Sequence, residues 1–161
     1  MRVCNAALGL ASGAARLALP FRFGLPVHGW AHLRMRQERP GRAVSFMTER
    51  ELEAEVRTVD EVCAEHGVER VHFMKLDVEG FESAVLEGAE EVLERDRPAL
   101  MLENEDRHLD KYGTTSAEVA AALRARGYAM YAWRGRGWAR VAAVTGARRN
   151  YLFATAETWL R

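Results

Sequence analysis

The sequence predicts an α/β fold with a mostly parallel sheet and an antiparallel edge at its carboxyl end. From about residue 59, patterns alternate in the order helix, strand, helix, strand, helix, and three strand patterns close the chain. Strands separated by amphipathic helices need crossover connections, and these favour parallel pairing with helices on the sheet faces. The 161 residues, 48% hydrophobic and 29% charged, fit one globular domain that buries a core.

Two capping boxes predict where two of the helices begin. They are Thr58-Val59-Asp60-Glu61 and Thr115-Ser116-Ala117-Glu118. In each, a threonine hydroxyl and a glutamate three residues later satisfy each other's free backbone amides. The first helix is expected over 59–66, and the second is expected to end near Gly127, since glycine readily adopts the left-handed conformation that ends helices.

Short runs of apolar residues predict the strands of the carboxyl two-thirds of the chain. The runs are 71–76, 99–102, 128–133, 138–144 and 150–155, and a single helix is expected over 82–95 between the first two. The third and fourth runs flank the turn Gly135-Arg136-Gly137 and predict a hairpin.

The amino-terminal segment is less regular. Residues 2–7 and 14–19 are candidate strands joined by a turn at Ser12-Gly13. Residues 20–40 hold three of the four prolines and are predicted to form a loop with at most short strands.

Charge and cysteine content exclude several classes of function. The 23 basic and 23 acidic residues cancel, so nothing favours nucleic acid or an anionic membrane surface. No apolar run is long enough for a transmembrane helix. Cys4 and Cys63 lie far apart, which argues against a zinc site and fits two free thiols in a cytoplasmic protein. The histidines show no ligand spacing, so no metal site is predicted.

Acidic residues follow two of the predicted strands. Because ligands bind outside the carboxyl ends of parallel strands, these tips are the candidate site. Lys75, Asp77 and Glu79 share one face if the strand extends that far, and such proximity suits one of them to proton transfer. Glu103-Asn104-Glu105 follows the second strand. The alternative is that these acids only cap helices or face solvent.

The stretch from Phe73 to Glu82, with its Lys-Leu-Asp-Val-Glu-Gly-Phe-Glu core, resembles the FkbM family of S-adenosylmethionine-dependent methyltransferases. Four further segments resemble the family in order and spacing: 58–62, 85–89, 97–103 and 150–153. Upstream, Asn5-Ala6-Ala7-Leu8 is more distantly similar to the end of the family's third strand.

The resemblance implies a class I, Rossmann-like methyltransferase sheet and S-adenosyl-L-methionine as cofactor. It implies O-methylation of a hydroxyl on a small metabolite or sugar, so the expected partner is a small molecule, with no nucleic acid and no membrane. The implied roles are catalytic for Lys75, Asp77 and Glu79, cofactor-binding for Asn5, Ala6 and Asp77, and substrate-binding for Glu82, Glu103 and Asn104.

The family's first two strands and their glycine-rich cofactor loop have no counterpart in the sequence. The expectation is a single truncated methyltransferase domain, with a weakly anchored segment over 1–45, an α/β core over 46–161 and impaired cofactor binding. The alternative is a catalytically inactive remnant that serves as a binding or interaction domain.

Overall fold

The computed structural model describes residues 2–34, 48–145 and 147–159, and in these it contains two five-stranded sheets. The strands are β1 (Ala7–Leu8), β2 (Gly13–Arg22), β3 (Leu25–Pro26), β4 (His32–Leu33), β5 (Thr48–Arg57), β6 (Phe73–Leu76), β7 (Ala99–Glu103), β8 (Ala129–Trp133), β9 (Trp138–Arg140) and β10 (Asn150–Ala154). The α-helices are α1 (Val59–Glu65), α2 (Glu82–Glu87), α3 (Glu90–Asp96), α4 (Asp106–Leu109), α5 (Ser116–Ala125) and α6 (Ala156–Trp159). Short 3-10 helices lie at His28–Trp30 and Asp110–Tyr112.

The carboxyl-terminal sheet has the order β6-β7-β10-β8-β9 and confirms a mixed α/β fold. Strands β6 and β7 pair in parallel, whereas β10 pairs antiparallel with both β7 and β8. The expectation of a mostly parallel sheet is therefore corrected. Strands β6, β7 and β8 run in one direction, as their helical connections require, but β10 lies between β7 and β8 instead of at the edge. Its side chains from Tyr151 to Ala154 are buried, as an inner strand requires.

The amino-terminal sheet is organised by β5, a strand that the sequence analysis missed. Strand β5 pairs antiparallel with β2 over nine residue pairs and parallel with β1. Its glutamates suggest no strand, but they face arginines across the sheet: Arg16 Nη1 lies 2.6 Å from Glu51 Oε2. Such cross-strand pairs support a strand whose side chains are mostly exposed.

Residues 7–33 are held by backbone pairing and by close packing, where a weakly anchored segment was expected over 1–45. Gly9 N donates to Arg57 O at 3.0 Å. A Cβ atom on Gly88 would lie 2.0 Å from Gly9 O, so the two backbones are in close contact. As expected of a loop with at most short strands, residues 23–34 contain the two-residue strands β3 and β4 and a 3-10 turn, after the end of β2. Residues 35–47 lie outside the described residues.

The helices confirm both capping boxes and correct one prediction. Thr58 and Thr115 each accept a hydrogen bond from the backbone amide of the glutamate three residues later. The single helix expected over 82–95 is divided at Gly88 into α2 and α3. The carboxylate of Asp60 in α1 stabilises the start of α3, since it accepts hydrogen bonds at 3.0 Å from two amides of its first turn, those of Glu91 and Val92.

The core lies between the carboxyl-terminal sheet and its helices. Val85, Leu100 and Phe153 are completely buried there and anchor α2, β7 and β10. Strand β7 lies between β6 and β10 with Leu100 and Leu102 buried, so the loop after it leaves a packed layer. None of the helices in the described ranges is both long and apolar enough to cross a membrane.

Candidate functional site

The candidate site lies where β6 and β7 end. The strands pair in parallel with Lys75 opposite Met101 and Leu76 opposite Leu102, so the next residues of the two chains meet at one edge. This edge brings Asp77, from the loop after β6, to Glu103, the last residue of β7. The position agrees with the expected location of a ligand site in a sheet of this type.

Lys75 and Asp77 form an ion pair at the open side of the site. Lys75 Nζ lies 2.6 Å from Asp77 Oδ2, and about half of each side chain is exposed. The hydrogen bond from Lys75 lowers the pKa of the Asp77 carboxyl, and this effect outweighs the smaller effect of burial. Asp77 is therefore ionised at neutral pH.

The pKa of Glu103 is shifted in the opposite direction to that of Asp77. Burial, followed by the nearby charges of Asp77 and Glu79, raises the pKa of the Glu103 carboxyl. Asp77 and Glu103 also share a hydrogen bond.

Glu79 turns away from Lys75 and Asp77. Strand β6 ends at Leu76, and Glu79 adopts a φ of 55° in the tight turn before α2, so it does not continue the strand face as expected. Its carboxylate instead points inwards, where Oε2 lies 2.7 Å from Nδ1 of His108 in α4. Both side chains are almost completely buried.

The structure adds His108 to the site. No spacing in the sequence relates it to the acidic residues, because it arrives on α4, in the segment after β7. Its backbone packs directly against the turn after β6. Gly80 there has a φ of 103°, and a Cβ on it would lie 2.2 Å from His108 O.

Three possible metal-ligating groups meet at this point: Glu79, Glu103 and His108. Each offers one ligand atom, and these atoms all lie within 4.8 Å of one another. The sequence predicted no metal site, since spacing alone does not show that His108 approaches two carboxylates.

Glu82 is buried beneath the turn and does not line an open surface. Its Oε1 accepts hydrogen bonds from the backbone amides of Val78 and Gly80, at 3.2 and 3.4 Å, and only 1% of the residue is exposed. Burial raises the pKa of its carboxyl, although the two amides act in the opposite direction. This geometry makes Glu82 a support of the turn.

The Glu82→Gln variant is expected to gain stability relative to the wild type as the pH rises. Because the folded-state pKa of Glu82 is raised, the folded protein keeps this proton to higher pH than the unfolded chain does. Stability from this group is therefore present at low pH and is lost as the pH rises through the folded pKa. The variant does not lose this stability as the pH rises, and its amide oxygen still accepts hydrogen bonds from the backbone amides of the turn.

Urea unfolding of both proteins at about pH 4 and about pH 7 checks this prediction. The exposed control Glu94→Gln should differ from the wild type in free energy of unfolding by the same amount at both pH values. If Glu82→Gln behaves like this control, the carboxyl of Glu82 does not titrate differently in the folded and unfolded states.

Asn104 is also buried, and its contacts are structural. Its Nδ2 donates to Ser116 O at 3.1 Å, and its backbone amide donates to Arg149 O at 2.8 Å. The first bond joins the end of β7 to the start of α5, and the second joins it to the segment before β10. The next residue, Glu105, forms ion pairs with Arg107 and Arg149.

Lys111 is a further cation near the site. It follows α4, and it is more than half buried, which lowers the pKa of its ammonium group. Its charge interacts with Glu79, with Glu49 of β5 and with Glu82. The sequence indicated it only by the scarcity of lysine, since Lys75 and Lys111 are the two lysines of the chain.

Asn5 and Ala6 lie before β1, in the other sheet. Asn5 is exposed, and the preceding Cys4 has its Sγ 3.2 Å from Nε2 of His66, just after α1. Within the described ranges, no hydrogen bond or ion pair joins either residue to the tips of β6 and β7. The structure thus brings together Lys75, Asp77, Glu79 and Glu103, and it places Asn5 and Ala6 elsewhere.

A groove of about 250 Å³ opens beside the turn. Gly80, Phe81 and Ala84 line one side, and Tyr112 and Thr114 line the other. The rings of Phe81 and Tyr112 meet edge to face with centroids 5.0 Å apart. Ser83 and Glu87 line the groove as well, so it combines two aromatic rings with several polar groups, as a small-molecule site does.

Comparison with known proteins gives one match. The model of a family described as the methyltransferase FkbM domain matches residues 4–130, which is well over half of the chain and includes the whole acidic cluster. No curated protein and no solved structure matches the chain significantly.

Proposed function

Since the chain belongs to the FkbM methyltransferase family, we propose that it transfers a methyl group from S-adenosylmethionine to a hydroxyl on a small metabolite or sugar. The observation that carries this proposal is the Asp77–Glu103 pair. Two hydrogen-bonded carboxyls whose pKa values are shifted in opposite directions are suited to receive a proton from a hydroxyl.

The roles of the side chains follow from their contacts. Lys75 keeps Asp77 ionised, so that Asp77 accepts a hydrogen bond from the acceptor hydroxyl and fixes its orientation. The proton then passes to the Asp77–Glu103 pair, which acts as one titrating unit. Glu82 and Asn104 hold the two loops in place from beneath.

The acidic cluster also fits the charge of the cofactor. When bound, S-adenosylmethionine supplies an electrophilic methyl group on a positively charged sulfonium, and it carries an ammonium group as well. Asp77, whose side chain is about half exposed, offers negative charge at the strand tips to such a cation. Asp77 is our candidate for the junction of cofactor and acceptor, and the roles of Asn5 and Ala6 in cofactor binding stay predictions.

The direction of β6, β7 and β8 supports assignment to the class I, Rossmann-like methyltransferases. Three strands that run alike, with an antiparallel strand inserted before the last, suit the carboxyl half of such a sheet. The groove beside Phe81 and Tyr112 is the proposed place of the acceptor. A cytoplasmic location and the absence of nucleic-acid partners also stay predictions.

Titration of the 161-residue chain with S-adenosylhomocysteine in a calorimeter tests the proposal. Because the sequence has no counterpart of the family's glycine-rich cofactor loop, we expect saturable but weakened binding, with a Kd on the order of 100 micromolar. We also expect release of S-adenosylhomocysteine when S-adenosylmethionine and a suitable hydroxylated compound are supplied. No binding up to millimolar concentration would contradict the proposal. Binding with no transfer to any of a broad set of hydroxylated compounds would instead favour a binding domain.

A further inference from the structure

We propose that Glu79, Glu103 and His108 bind a divalent transition-metal ion at the tips of β6 and β7. The three residues come from three different segments: the turn before α2, the end of β7 and helix α4. Their ligand atoms nevertheless converge within 4.8 Å of one another.

The spacing of the ligand atoms is close to that of a coordination sphere. Metal bonds to nitrogen and oxygen of about 2.0–2.2 Å place neighbouring ligands of one ion roughly 3–3.5 Å apart. The three ligand atoms lie within 4.8 Å of one another, so side-chain movements of about 1 Å bring them around one ion. The contact of 2.7 Å between Glu79 Oε2 and His108 Nδ1 opens by roughly 0.5 Å when an ion enters.

Buried polar atoms without hydrogen bonds point to the same place. Both ring nitrogens of His108 are buried and lack a hydrogen-bond partner among the described residues; Nδ1 is at ion-pair distance from Glu79 but is not aligned for a hydrogen bond. The Oε2 atom of Glu82, a residue that is 1% exposed, also lacks a partner there. The charge of Glu82 interacts with His108, so this atom lies near the cluster. Buried polar atoms normally find a partner, and a cation in the cluster supplies one to a ring nitrogen of His108.

The charge balance at this position also favours a cation. Glu79 and Glu103 lie close to a third carboxylate, that of Asp77. Lys75 pairs with Asp77 on the open side, and the ammonium of Lys111 acts on Glu79 from a position that is more than half buried. A divalent ion between Glu79 and Glu103 neutralises charges that these lysines leave only partly compensated.

The ligand types narrow the choice of ion. Ca²⁺ and Mg²⁺ prefer sites made of oxygen ligands alone, whereas imidazole favours ions such as Zn²⁺ and Fe²⁺, and the two carboxylates also suit Mn²⁺. One imidazole and two carboxylates leave one or more coordination positions for water or substrate, which is typical of catalytic rather than structural sites. In the methyl transfer proposed above, such a position would bind the acceptor hydroxyl while Asp77 takes its proton. This role rests on the proposed function, but binding of the ion does not.

Calorimetric titration of the chelator-treated chain with MnCl₂ and ZnCl₂, without cofactor or acceptor, tests the site. We expect one ion per chain, and a loss of affinity of at least about tenfold in Glu103→Gln and in His108→Ala. The controls Glu94→Gln and His72→Ala replace exposed residues of the same types and should bind as the wild type does. No saturable binding, or equal binding by His108→Ala, would overturn the proposal.

Pulsed electron paramagnetic resonance of the wild-type chain with Mn²⁺ identifies the ligands even if a variant fails to fold. We expect coupling of the ion to the nitrogen of one imidazole, and none in His108→Ala where it folds. Bound Mn²⁺ without nitrogen coupling would place the ion elsewhere and overturn the assignment. A chain that binds Mn²⁺ in this way but neither binds S-adenosylhomocysteine nor transfers a methyl group contradicts only the proposed function.

Discussion

Replacement of Asp77 by asparagine is expected to lower the rate of methyl transfer by about 100-fold or more. The amide has the size of the carboxylate but carries no charge, so it neither pairs with Lys75 nor receives a proton. It also removes the negative charge that raises the pKa of Glu103, so the remaining carboxyl becomes a weaker base. Orientation of the acceptor and acceptance of its proton are thus lost together.

Two quantities are measured. The first is the rate of release of S-adenosylhomocysteine at saturating cofactor and acceptor, and the second is the Kd for S-adenosylhomocysteine. The control is Glu51→Gln, which removes an ion pair of the same 2.6 Å length in the other sheet and should leave the rate unchanged. A lower rate with an unchanged Kd assigns Asp77 to the acceptor, and a weaker Kd assigns it to the cofactor. A variant as fast as the wild type would exclude Asp77 from the reaction.

Local signals in the sequence predicted the elements that depend on local interactions. The capping boxes at Thr58 and Thr115 involve residues three positions apart, so their hydrogen bonds can be read from the sequence. Strand β5 has no such signal, because its glutamates are stabilised by arginines 15 to 35 residues away. The start of α3 is likewise stabilised by Asp60, some 30 residues earlier.

The same distinction holds for the candidate site. Lys75 and Asp77 are close in sequence and follow a strand, so their pairing is a local consequence of strand geometry. Glu103 joins them because parallel strands end at one edge, which the predicted pairing of β6 with β7 implied. His108 could not be found in this way. Its approach to Glu79 depends on the path of the chain after β7 and on the left-handed backbone of the turn.

The turn itself gives the second large expected effect, the loss of stability in Gly80→Ala. Gly80 has a φ of 103°, which an L-residue rarely adopts, and an added Cβ would lie 2.2 Å from His108 O and 2.4 Å from its carbonyl carbon. The backbone strain and the displacement of α4 both destabilise the folded state. Together they are expected to lower the free energy of unfolding by about 3 kcal/mol or more. For a chain of this length the melting temperature should fall by roughly 6–12 °C.

Gly135→Ala separates the two causes of this loss. Gly135 has a comparable φ of 86°, but apart from its chain neighbours no atom of the described residues lies within 4 Å of its added Cβ, so this variant carries the strain without the contact. It should lose only about 1–2 kcal/mol, measured by the same urea unfolding experiment. The excess loss in Gly80→Ala then measures how tightly the turn holds α4.

Because the contact between the turn and α4 also positions His108, Gly80→Ala should bind Mn²⁺ more weakly than Gly135→Ala does. Equal stability and equal Mn²⁺ affinity in the two variants would show that the turn does not position His108, and that its approach to Glu79 has another cause.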